Sequence, residues 1–445
     1  EKEAIMVLMS SSLVIFLAPL VVWSEANYVF HRAHNYTGLD HAGYAVLSEE
    51  LPGSLLLTRF GATPFVGKSE VTLLNLESGS ETHLATNIDW PNLPTVVDKS
   101  VFGFKAAVVG SGFLVPTHTM GGIWIIELSD KPEVLKTGPV KVTRDSTESH
   151  LPDSGWFYHQ AYMVDMNNDG RLDILTSRCA DSVEPWNPKG AKLVWLEHPA
   201  SGALNGTAWV EHVIMDGPDF LFEVAPPEVS GSHLGLCAAE YLSEKLVYIE
   251  GSVQTGFQRR VVDDNFGHGF GCRWADLNGD GRTDLVATNH LNQNGSVFAY
   301  TWSGPAGSLS ESNTRVDKHV LATGYSATTT EAGKASPGDA IPFFPKAKNN
   351  TQKKPFIVVS ADNGNYVDVL IPAVPEDPHD WTYRKELLEY MGGDVGSIAI
   401  GDTDGDGWNE LFVPVYDNGQ VVKYTIRNEA SPQVTEDDAI FRASS

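Results

Sequence analysis

The 445-residue chain has few cysteines that could form disulfide bonds and few cationic residues that could bind a polyanion. It contains only three cysteines, too few for a disulfide framework, so a hydrophobic core must supply most of its stability. Cations are also scarce: 31 Lys and Arg stand against 57 Asp and Glu, a formal net charge of −26. Because nucleic acids and anionic membranes are recognised by concentrated positive charge, we expect neither as a partner.

The cysteines allow one disulfide at most. Of the three, Cys179 and Cys237 are the favoured pair, because Cys272 lies within an apolar strand-like run. Long apolar stretches are missing too, except for Leu13–Trp23, which is shorter than the ~20 residues that cross a bilayer.

That apolar run is followed by Ser24-Glu25-Ala26, the small-x-small pattern of a cleavage site. We therefore predict a secretory signal peptide over residues 1–26, with an uncleaved anchor or buried segment as the alternative. The protein is expected to be secreted or in the secretory pathway, with no membrane attachment after cleavage. Four N-x-S/T sequons predict glycosylation at Asn35, Asn205, Asn294 and Asn349.

Seven apolar, β-branched runs recur along the chain, and no long stretch shows the 3.6-residue periodicity of an amphipathic helix. They are centred near Val71, Ile123, Leu193, Leu246, Val297, Val367 and Val421, which places neighbours 51 to 70 residues apart. Units of this size are typical of propeller blades, each made of four antiparallel strands. We therefore predict an all-β, seven-bladed β-propeller with each run as a later strand of its blade; a β-sandwich array is the alternative.

The propeller is predicted to span residues 27–427 and to be followed by a polar tail over 428–445. Residues 27–48 are expected to donate the strand that closes the ring. The stretch from Ser326 to Lys354 is rich in Thr, Gly, Pro and Lys, which predicts a long inserted loop.

Three nine-residue acidic segments carry the most specific pattern: 165–173 (DMNNDGRLD), 276–284 (DLNGDGRTD) and 402–410 (DTDGDGWNE). Side-chain oxygens at positions 1, 3, 5 and 9, a backbone carbonyl at position 7 and glycine at position 6 suit Ca²⁺. The predicted metal ligands are Asp165, Asn167, Asp169, Arg171, Asp173, Asp276, Asn278, Asp280, Arg282, Asp284, Asp402, Asp404, Asp406, Trp408 and Glu410.

An EF-hand is the competing interpretation of these segments. It requires a bidentate Glu at position 12, where this chain has Thr176, Ala287 and Val413, and apolar strand-like residues follow each segment instead of a helix. The segments are therefore predicted to be β-hairpin loops that hold up to three structural Ca²⁺ ions. Metal-free Asp-Gly turns are the alternative.

These loops and the strand repeat resemble FG-GAP/VCBS-type calcium-binding propellers. Two further segments, Gly155–Tyr162 (GWFYHQAY) and Gly217–Phe222 (GPDFLF), resemble the propeller domain of fungal aldos-2-ulose dehydratases. Those dehydratases carry additional domains without a counterpart in this sequence. The chain is therefore more similar to single-propeller fungal relatives, among them the hetero-Diels–Alderases of tropolone–sesquiterpene pathways.

Propellers bind ligands at one mouth of the central channel, and the strands that lead into the acidic loops are expected to line it. These are residues 156–164, 268–275 and 394–401. The candidate catalytic residues are His159, Tyr162, His268 and Arg273, and the candidate substrate-binding residues are Trp156, Phe157, Phe270, Trp274 and Asp394. Imidazole exchanges protons near neutral pH, and Arg273 could hold an anionic oxygen. The resemblance implies that His159 matches the dehydratases' catalytic base; a structural role is the alternative for each residue.

The resemblance implies a cofactor-free enzyme for a small-molecule substrate. In the hetero-Diels–Alderase reading, a hydroxymethyl tropolone loses water and the resulting quinone methide adds to a sesquiterpene alkene. The alternatives are a dehydratase or carbon–oxygen lyase of sugar derivatives and a secreted binding propeller without catalysis. The sequence contains no G-x-S-x-G, H-E-x-x-H or P-loop motif, and no redox cofactor is expected.

Overall fold

The fold is built from antiparallel sheets that follow one another along the chain. A computed structural model describes residues 22–23, 28–61, 69–113, 121–128, 138–144, 156–180 and 190–428. These residues form seven sheets arranged as blades in a ring, the seven-bladed β-propeller that the sequence predicts. No helix in this part of the chain has the length and apolar character needed to cross a membrane.

Blades 1 to 3 follow the N-terminal strands. The first two strands are β1 (Val22–Trp23) and β2 (Tyr28–Thr37). Blade 1 contains β3 (Ala42–Val46), β4 (Ser54–Arg59), β5 (Glu70–Asn75) and β6 (Glu81–Ala85). Blade 2 contains β7 (Pro91–Val97), β8 (Lys105–Ser111), β9 (Ile123–Leu128) and β10 (Val140–Lys141). Blade 3 contains β11 (Trp156–Tyr158), β12 (Tyr162–Val164), β13 (Asp173–Ala180), β14 (Lys192–Glu197) and β15 (Val210–Asp216).

Blades 4 to 7 complete the ring. Blade 4 contains β16 (Glu223–Val224), β17 (Leu234–Glu240), β18 (Lys245–Ser252) and β19 (Gly256–Asp263). Blade 5 contains β20 (Gly269–Ala275), β21 (Asp284–Asn289), β22 (Gly295–Trp302) and β23 (Val316–Tyr325). Blade 6 contains β24 (Ala340–Phe343), β25 (Phe356–Ser360), β26 (Tyr366–Pro372) and β27 (Tyr383–Tyr390). Blade 7 contains β28 (Ala399–Gly401), β29 (Glu410–Val415) and β30 (Gln420–Asn428). The helices are α1 (Lys99–Phe102), α2 (Pro227–Ser230) and the 3₁₀ turns Ser308–Ser310 and Asp362–Gly364.

Strand β2 closes the ring as expected. It pairs antiparallel with β30, from Tyr28 opposite Asn428 to Thr37 opposite Gln420, and so becomes the fourth strand of blade 7. The seven recurrent apolar runs are all third strands: β5, β9, β14, β18, β22, β26 and β30. Their side chains are buried in clusters shared by neighbouring blades, which is where the core lies.

The predicted signal peptide and tail lie outside the described residues, apart from three positions. Val22 and Trp23 of β1 pair with Phe30 and Val29 of β2, and Asn428 ends β30. Cleavage after Ala26 would remove β1. Because the rest of both segments lies outside the described residues, the signal peptide and the polar tail stay predictions.

Two expectations from the sequence are wrong. The disulfide joins Cys237 of β17 to Cys272 of β20, with Cα atoms 6.7 Å apart, and not Cys179 to Cys237. An apolar strand does not exclude a cystine here, because the second strand of blade 4 packs against the innermost strand of blade 5. The stretch from Ser326 to Lys354 is not one loop either, since it contains β24, the innermost strand of blade 6. That strand is four residues long and includes Pro342, so it carries no strand pattern.

Candidate functional site

The two ends of the ring differ because antiparallel strands reverse direction at each turn. Loops that join first to second strands all lie at one end, which we call the loop face. Loops that join second to third strands, or one blade to the next, lie at the other end, which we call the mouth face. The three acidic segments are at the loop face of blades 3, 5 and 7.

The three acidic loops share one backbone fold. In each, the position 1 carboxylate accepts a hydrogen bond from the N–H of position 6, and the position 3 oxygen accepts one from position 5. The position 5 carboxylate accepts from position 7, and the position 9 carboxylate accepts from position 2. All twelve bonds are between 2.8 and 3.1 Å long. Positions 4 and 6 have positive φ in every loop, which explains the glycine at position 6.

Loop 402–410 presents the tightest group of oxygens. Ligand atoms of Asp402, Asp404 and Glu410 lie within 4.8 Å of one another. Glu410 is fully buried, and Asp402 Oδ1 and Glu410 Oε1 are buried without a hydrogen-bond partner among the described residues. Converging carboxylate oxygens without donors fit a hard divalent cation. Burial similarly raises the pKa of Asp284 in the second loop to about 7, so its ionised form needs a nearby positive charge.

The position 7 residues are placed for their backbone, not for their side chains. Each donates its N–H to the position 5 carboxylate. The Arg171 side chain ion-pairs with Asp169, Arg282 donates to the carbonyl of Trp302 at 2.9 Å, and the Trp408 ring packs 6.2 Å from that of Tyr28.

At the mouth face, aromatic rings follow one another from blade 7 round to blade 5. Successive ring centroids are 4.6 to 5.8 Å apart. We call this series the aromatic arc: Tyr416, Phe60, Trp90, Phe113, His159, Phe220, Tyr241 and His268. Apart from His159, its members are only partly buried, so the arc offers an apolar surface at the mouth.

His159 lies in the most apolar part of the arc. Its ring is within 5.6 Å of Phe113, Phe157 and Phe220, and the residue is 6% exposed. Its Nδ1 is buried and has no hydrogen-bond partner among the described residues. Burial lowers its pKa to about 3, so the imidazole is neutral at physiological pH. The His159 carbonyl accepts a hydrogen bond from the Leu93 N–H of blade 2 at 3.0 Å, but the ring makes no inter-blade hydrogen bond within this part of the chain.

The two segments that resemble the dehydratase propeller meet here. Phe220 contacts both Phe157 and His159, and Gln160 Nε2 donates to the Phe222 carbonyl at 2.5 Å.

His268, at the other end of the arc, stacks on Tyr241, and its Nδ1 lies 2.7 Å from the Tyr241 carbonyl.

Arg273 and Tyr162 belong to a network inside the channel. Arg273 donates to Glu223 at 2.8 Å and to Asp339 at 2.6 Å, and the Tyr162 hydroxyl donates to Glu223 at 2.7 Å. Burial raises the pKa of Tyr162, which keeps it protonated. Because two carboxylates surround the Arg273 guanidinium, it has no positive charge left to bind a substrate anion. Arg273 instead links Glu223 of blade 4 to Asp339 at the start of blade 6, and we call this link the Arg273 brace.

The remaining predicted residues are divided between core and mouth. Trp156 lies under the Arg178 guanidinium, 4.0 Å from its ring centroid, and Trp274 packs edge-on against Tyr248 and Trp302. Both are therefore parts of the blade core. Phe157 is in the arc's apolar part, and Phe270 contacts His290, with ring centroids 4.9 Å apart.

Opposite the arc, the mouth of blades 5 to 7 is polar. Asp394 accepts hydrogen bonds from Lys334 Nζ at 2.6 Å and from Asn363 Nδ2 at 2.7 Å, and the Asp394 N–H donates to Asp417. Asp362 lies beside them, with Oδ2 3.6 Å from Nε2 of His290. We call Asp362, Asp394 and Asp417 the carboxylate sector. Sequence reasoning found only Asp394, because the others belong to ordinary-looking turns.

Backbone strain is concentrated at the same mouth. Eight non-glycine residues of the described chain have positive φ, and four of them are asparagines, which tolerate it. The other four are His41, Trp90, Glu244 and Asp362, all in mouth-face loops. Histidine and aspartate also tolerate positive φ, so backbone strain is clearest at Trp90 and Glu244. Strained residues persist where the surrounding structure fixes them, which is typical of functional sites.

A comparison with protein-family models finds no match for this chain, and neither does a comparison with curated protein sequences. Among solved structures, the chain is similar to the PQQ-bound aldose sugar dehydrogenase of Streptomyces coelicolor. The identity is 11%, 92% of this chain and 100% of that chain are covered, and the TM-score is 0.36. It is also similar to an auxiliary nutrient binding protein of Bacteroides thetaiotaomicron, with 8% identity, 88% and 70% coverage and a TM-score of 0.38. Likenesses this remote carry no argument about function.

Proposed function

We propose that the protein is a calcium-stabilised, cofactor-free propeller enzyme that dehydrates and cyclises a small organic substrate at its mouth face. The specific reaction that we infer is the hetero-Diels–Alder joining of a tropolone quinone methide to a sesquiterpene. The observation that carries this proposal is the aromatic arc around a neutral, unpartnered imidazole. The meeting of the two dehydratase-like segments at His159 supports it.

An apolar arc suits this reaction because both partners are largely apolar and must be held face to face. Holding two reactants in reactive geometry removes much of the entropic barrier of a bimolecular addition. A neutral His159 would add a hydrogen bond to a substrate oxygen in a site with few competing waters. With a pKa of about 3, His159 is a poor general base at neutral pH, which favours this role over proton abstraction from a sugar.

Calcium is proposed for the acidic loops at the opposite face. The carboxylate and amide oxygens of positions 1, 3, 5 and 9 would hold the ions, with the carbonyl of position 7. A bound cation would tie the turn between the first and second strands of blades 3, 5 and 7. No loop ligand reaches the mouth, so this role is structural.

A secretory-pathway location fits three features. Blades 4 and 5 are joined by the Cys237–Cys272 bond, and disulfides persist in oxidising compartments. Calcium is abundant there. The four sequon asparagines, Asn35, Asn205, Asn294 and Asn349, are exposed and therefore accessible to glycosylation.

The test is to incubate the purified, calcium-loaded protein with a hydroxymethyl tropolone and a macrocyclic sesquiterpene alkene. We expect stereoselective adduct formation with the wild-type protein, and at least tenfold slower formation with His159→Phe. A matched control is His319→Phe, because His319 lies on β23, the outer strand of blade 5, where it stacks on Trp381. Adduct formation no faster or more selective than without protein would overturn the proposal.

A second candidate is a dehydratase or lyase of sugar derivatives. The carboxylate sector favours it, because Asp394, Asn363 and Lys334 offer the donors and acceptors that bind several hydroxyl groups. Water loss from a keto sugar, with no adduct from the apolar pair, would support this reading. Saturable binding of either ligand without turnover would instead indicate a binding propeller.

A further inference from the structure

We propose that Asp362 is the acid of the mouth-face site and delivers a proton to the hydroxyl group that leaves the substrate as water. His290 is the positioning residue that holds Asp362. This inference rests on the proposed function, since it concerns the dehydration step that comes before cyclisation.

The Asp362 carboxyl and the His290 ring lie next to each other at the mouth face, in loops of the neighbouring blades 6 and 5. His290 Nδ1 lies 2.8 Å from the carbonyl of Pro337, which can only accept, so Nδ1 carries the proton. The other nitrogen, Nε2, therefore presents a lone pair towards Asp362 Oδ2, 3.6 Å away. A protonated carboxyl complements that lone pair, whereas an ionised one would repel it.

The surroundings of Asp362 keep the proton on its carboxyl. No N–H or O–H of the described residues donates a hydrogen bond to it, whereas Asp394 receives two. The charged or titratable groups that face it are His290, Asp394, Asp417, Lys334 and Tyr44. Burial, then the negative charge of Asp394, raises the pKa of Asp362 to about 8, and Lys334 offsets this only in part.

Asp362 is also accessible and fixed. Its side chain is 25% exposed in the mouth, so a substrate hydroxyl can reach it. Its backbone has φ of 47°, and the Val395 N–H donates to its carbonyl, which fixes the turn.

The step balances without a co-reactant. The substrate class is an enolic or phenolic ring whose hydroxyl group neighbours a hydroxymethyl carbon. Asp362 protonates the hydroxymethyl oxygen, the C–O bond breaks with its electron pair going to oxygen, and water leaves. The ring hydroxyl releases its proton, which returns to Asp362 through solvent, so the net change is substrate to quinone methide plus water.

The test substitutes Asp362→Asn and measures dehydration of an ortho-hydroxybenzyl alcohol, with a thiol as the trap for the quinone methide. Asparagine is isosteric and tolerates positive φ, so the fold is expected to survive. We expect kcat to fall about 100-fold, the lower end of a general acid's contribution. In the wild type, kcat should be flat below neutral pH and fall about tenfold per unit above pH 8. The matched control is Asp317→Asn, an aspartate paired with Arg315 on the outer strand β23, which should leave kcat unchanged.

A second readout does not depend on turnover. Other buried carboxyls, such as Asp284 and Asp219, also have a raised pKa, so the readout is the difference between wild-type and Asp362→Asn infrared spectra at pH 7. That difference spectrum should contain the C=O band of one protonated carboxyl. Absence of the band from the difference spectrum overturns the inference. Wild-type dehydration that survives Asp362→Asn also overturns it but leaves the proposed function standing. A wild type that shows the band but dehydrates nothing overturns the proposed function, and the role of Asp362 with it.

His290→Phe tests positioning. It keeps the ring volume beside Phe270 but removes the lone pair that faces Asp362. We expect a change in the pH at which kcat begins to fall, together with a lower kcat. A purely structural His290 would change stability and leave the pH profile of kcat where it is.

Discussion

The same residue type is placed in two opposite settings at the two faces of the ring. At the loop face, aspartates accept hydrogen bonds from backbone N–H groups that repeat from loop to loop. At the mouth face, the Asp362 carboxyl receives none from the described residues and lies beside two other carboxylates. Donors and a cation favour the ionised form, whereas partial burial beside other negative charges favours the neutral one, so the environment decides what each carboxyl can do.

The difference between the two faces also explains why the sequence predicts the loop-face sites and not the mouth-face site. An acidic loop is nine consecutive residues, and its ligands, glycine and following strand are all adjacent. The mouth face is assembled from loops of different blades, so its members are scattered along the chain. Carboxylates at fixed spacing within one loop predict a metal site. Asp362 and His290 are 72 positions apart in the sequence, and no sequence pattern links them.

The largest expected effect is the removal of calcium. If all three loops bind Ca²⁺ and the ion is present at 1,000 times its Kd, each site contributes about 4 kcal/mol to the free energy of unfolding. Thermal unfolding in EGTA should therefore show a large drop in Tm, restored by Ca²⁺ and not by Mg²⁺. Equal Tm values with and without chelator would contradict the proposed role of the loops.

A smaller effect separates the ligands within one loop. Glu410→Gln removes a fully buried carboxylate that faces the converging oxygens, and should lower the calcium-dependent stability by about 3 kcal/mol. The control is Asp404→Asn, because Asn167 and Asn278 already occupy that position in the other two loops. Calorimetry should find a much weaker calcium effect in Glu410→Gln and a nearly normal one in Asp404→Asn. A calcium effect in Glu410→Gln as large as that in Asp404→Asn would mean that the loop does not use the Glu410 carboxylate as a ligand.

The mouth-face histidine should make the wild type acid-sensitive. His159 has a folded-state pKa of about 3, below its unfolded value, so the unfolded chain binds the extra proton as the pH falls below 6.5. The wild type should lose up to about 1.4 kcal/mol per pH unit from this residue between pH 6.5 and 3. The difference between His159→Phe and wild-type unfolding curves measures it. A difference that does not grow on acidification would show that His159 is not buried as a neutral ring.

The smallest effect on stability is expected for the same variant at neutral pH. The aromatic rings around His159 offer no hydrogen-bond partner to Nδ1, so replacing the imidazole with a phenylalanine ring breaks no hydrogen bond of the side chain. His159→Phe should therefore change the free energy of unfolding by no more than about 1 kcal/mol. Chemical denaturation at pH 7.5 measures this. A loss of several kcal/mol would assign His159 to the core and not to the site.

How far the sequence predicts this molecule follows from the range of each interaction. Each of the seven third strands is a continuous apolar run that can be recognised from its own residues. The number of blades and the closing strand β2 were therefore predictable from the sequence. The innermost strands are short and half-exposed, which is why the sequence predicts a loop where β24 lies. The Cys237–Cys272 bond and the Arg273 brace depend on which blades are neighbours and how their strands face, and no local pattern encodes that.

The central claim is that Glu410 at the calcium-bound loop face is ionised, whereas Asp362 at the mouth face holds its proton. The most direct measurement is the change in unfolding free energy for two carboxyl-to-amide substitutions, Glu410→Gln and Asp362→Asn, at pH 7 with calcium. The first should destabilise the protein. The second should stabilise it by about 1–2 kcal/mol, because the unfolded Asp362 ionises while the folded one holds its proton between pH 4 and about 8. Destabilisation by both would contradict the account.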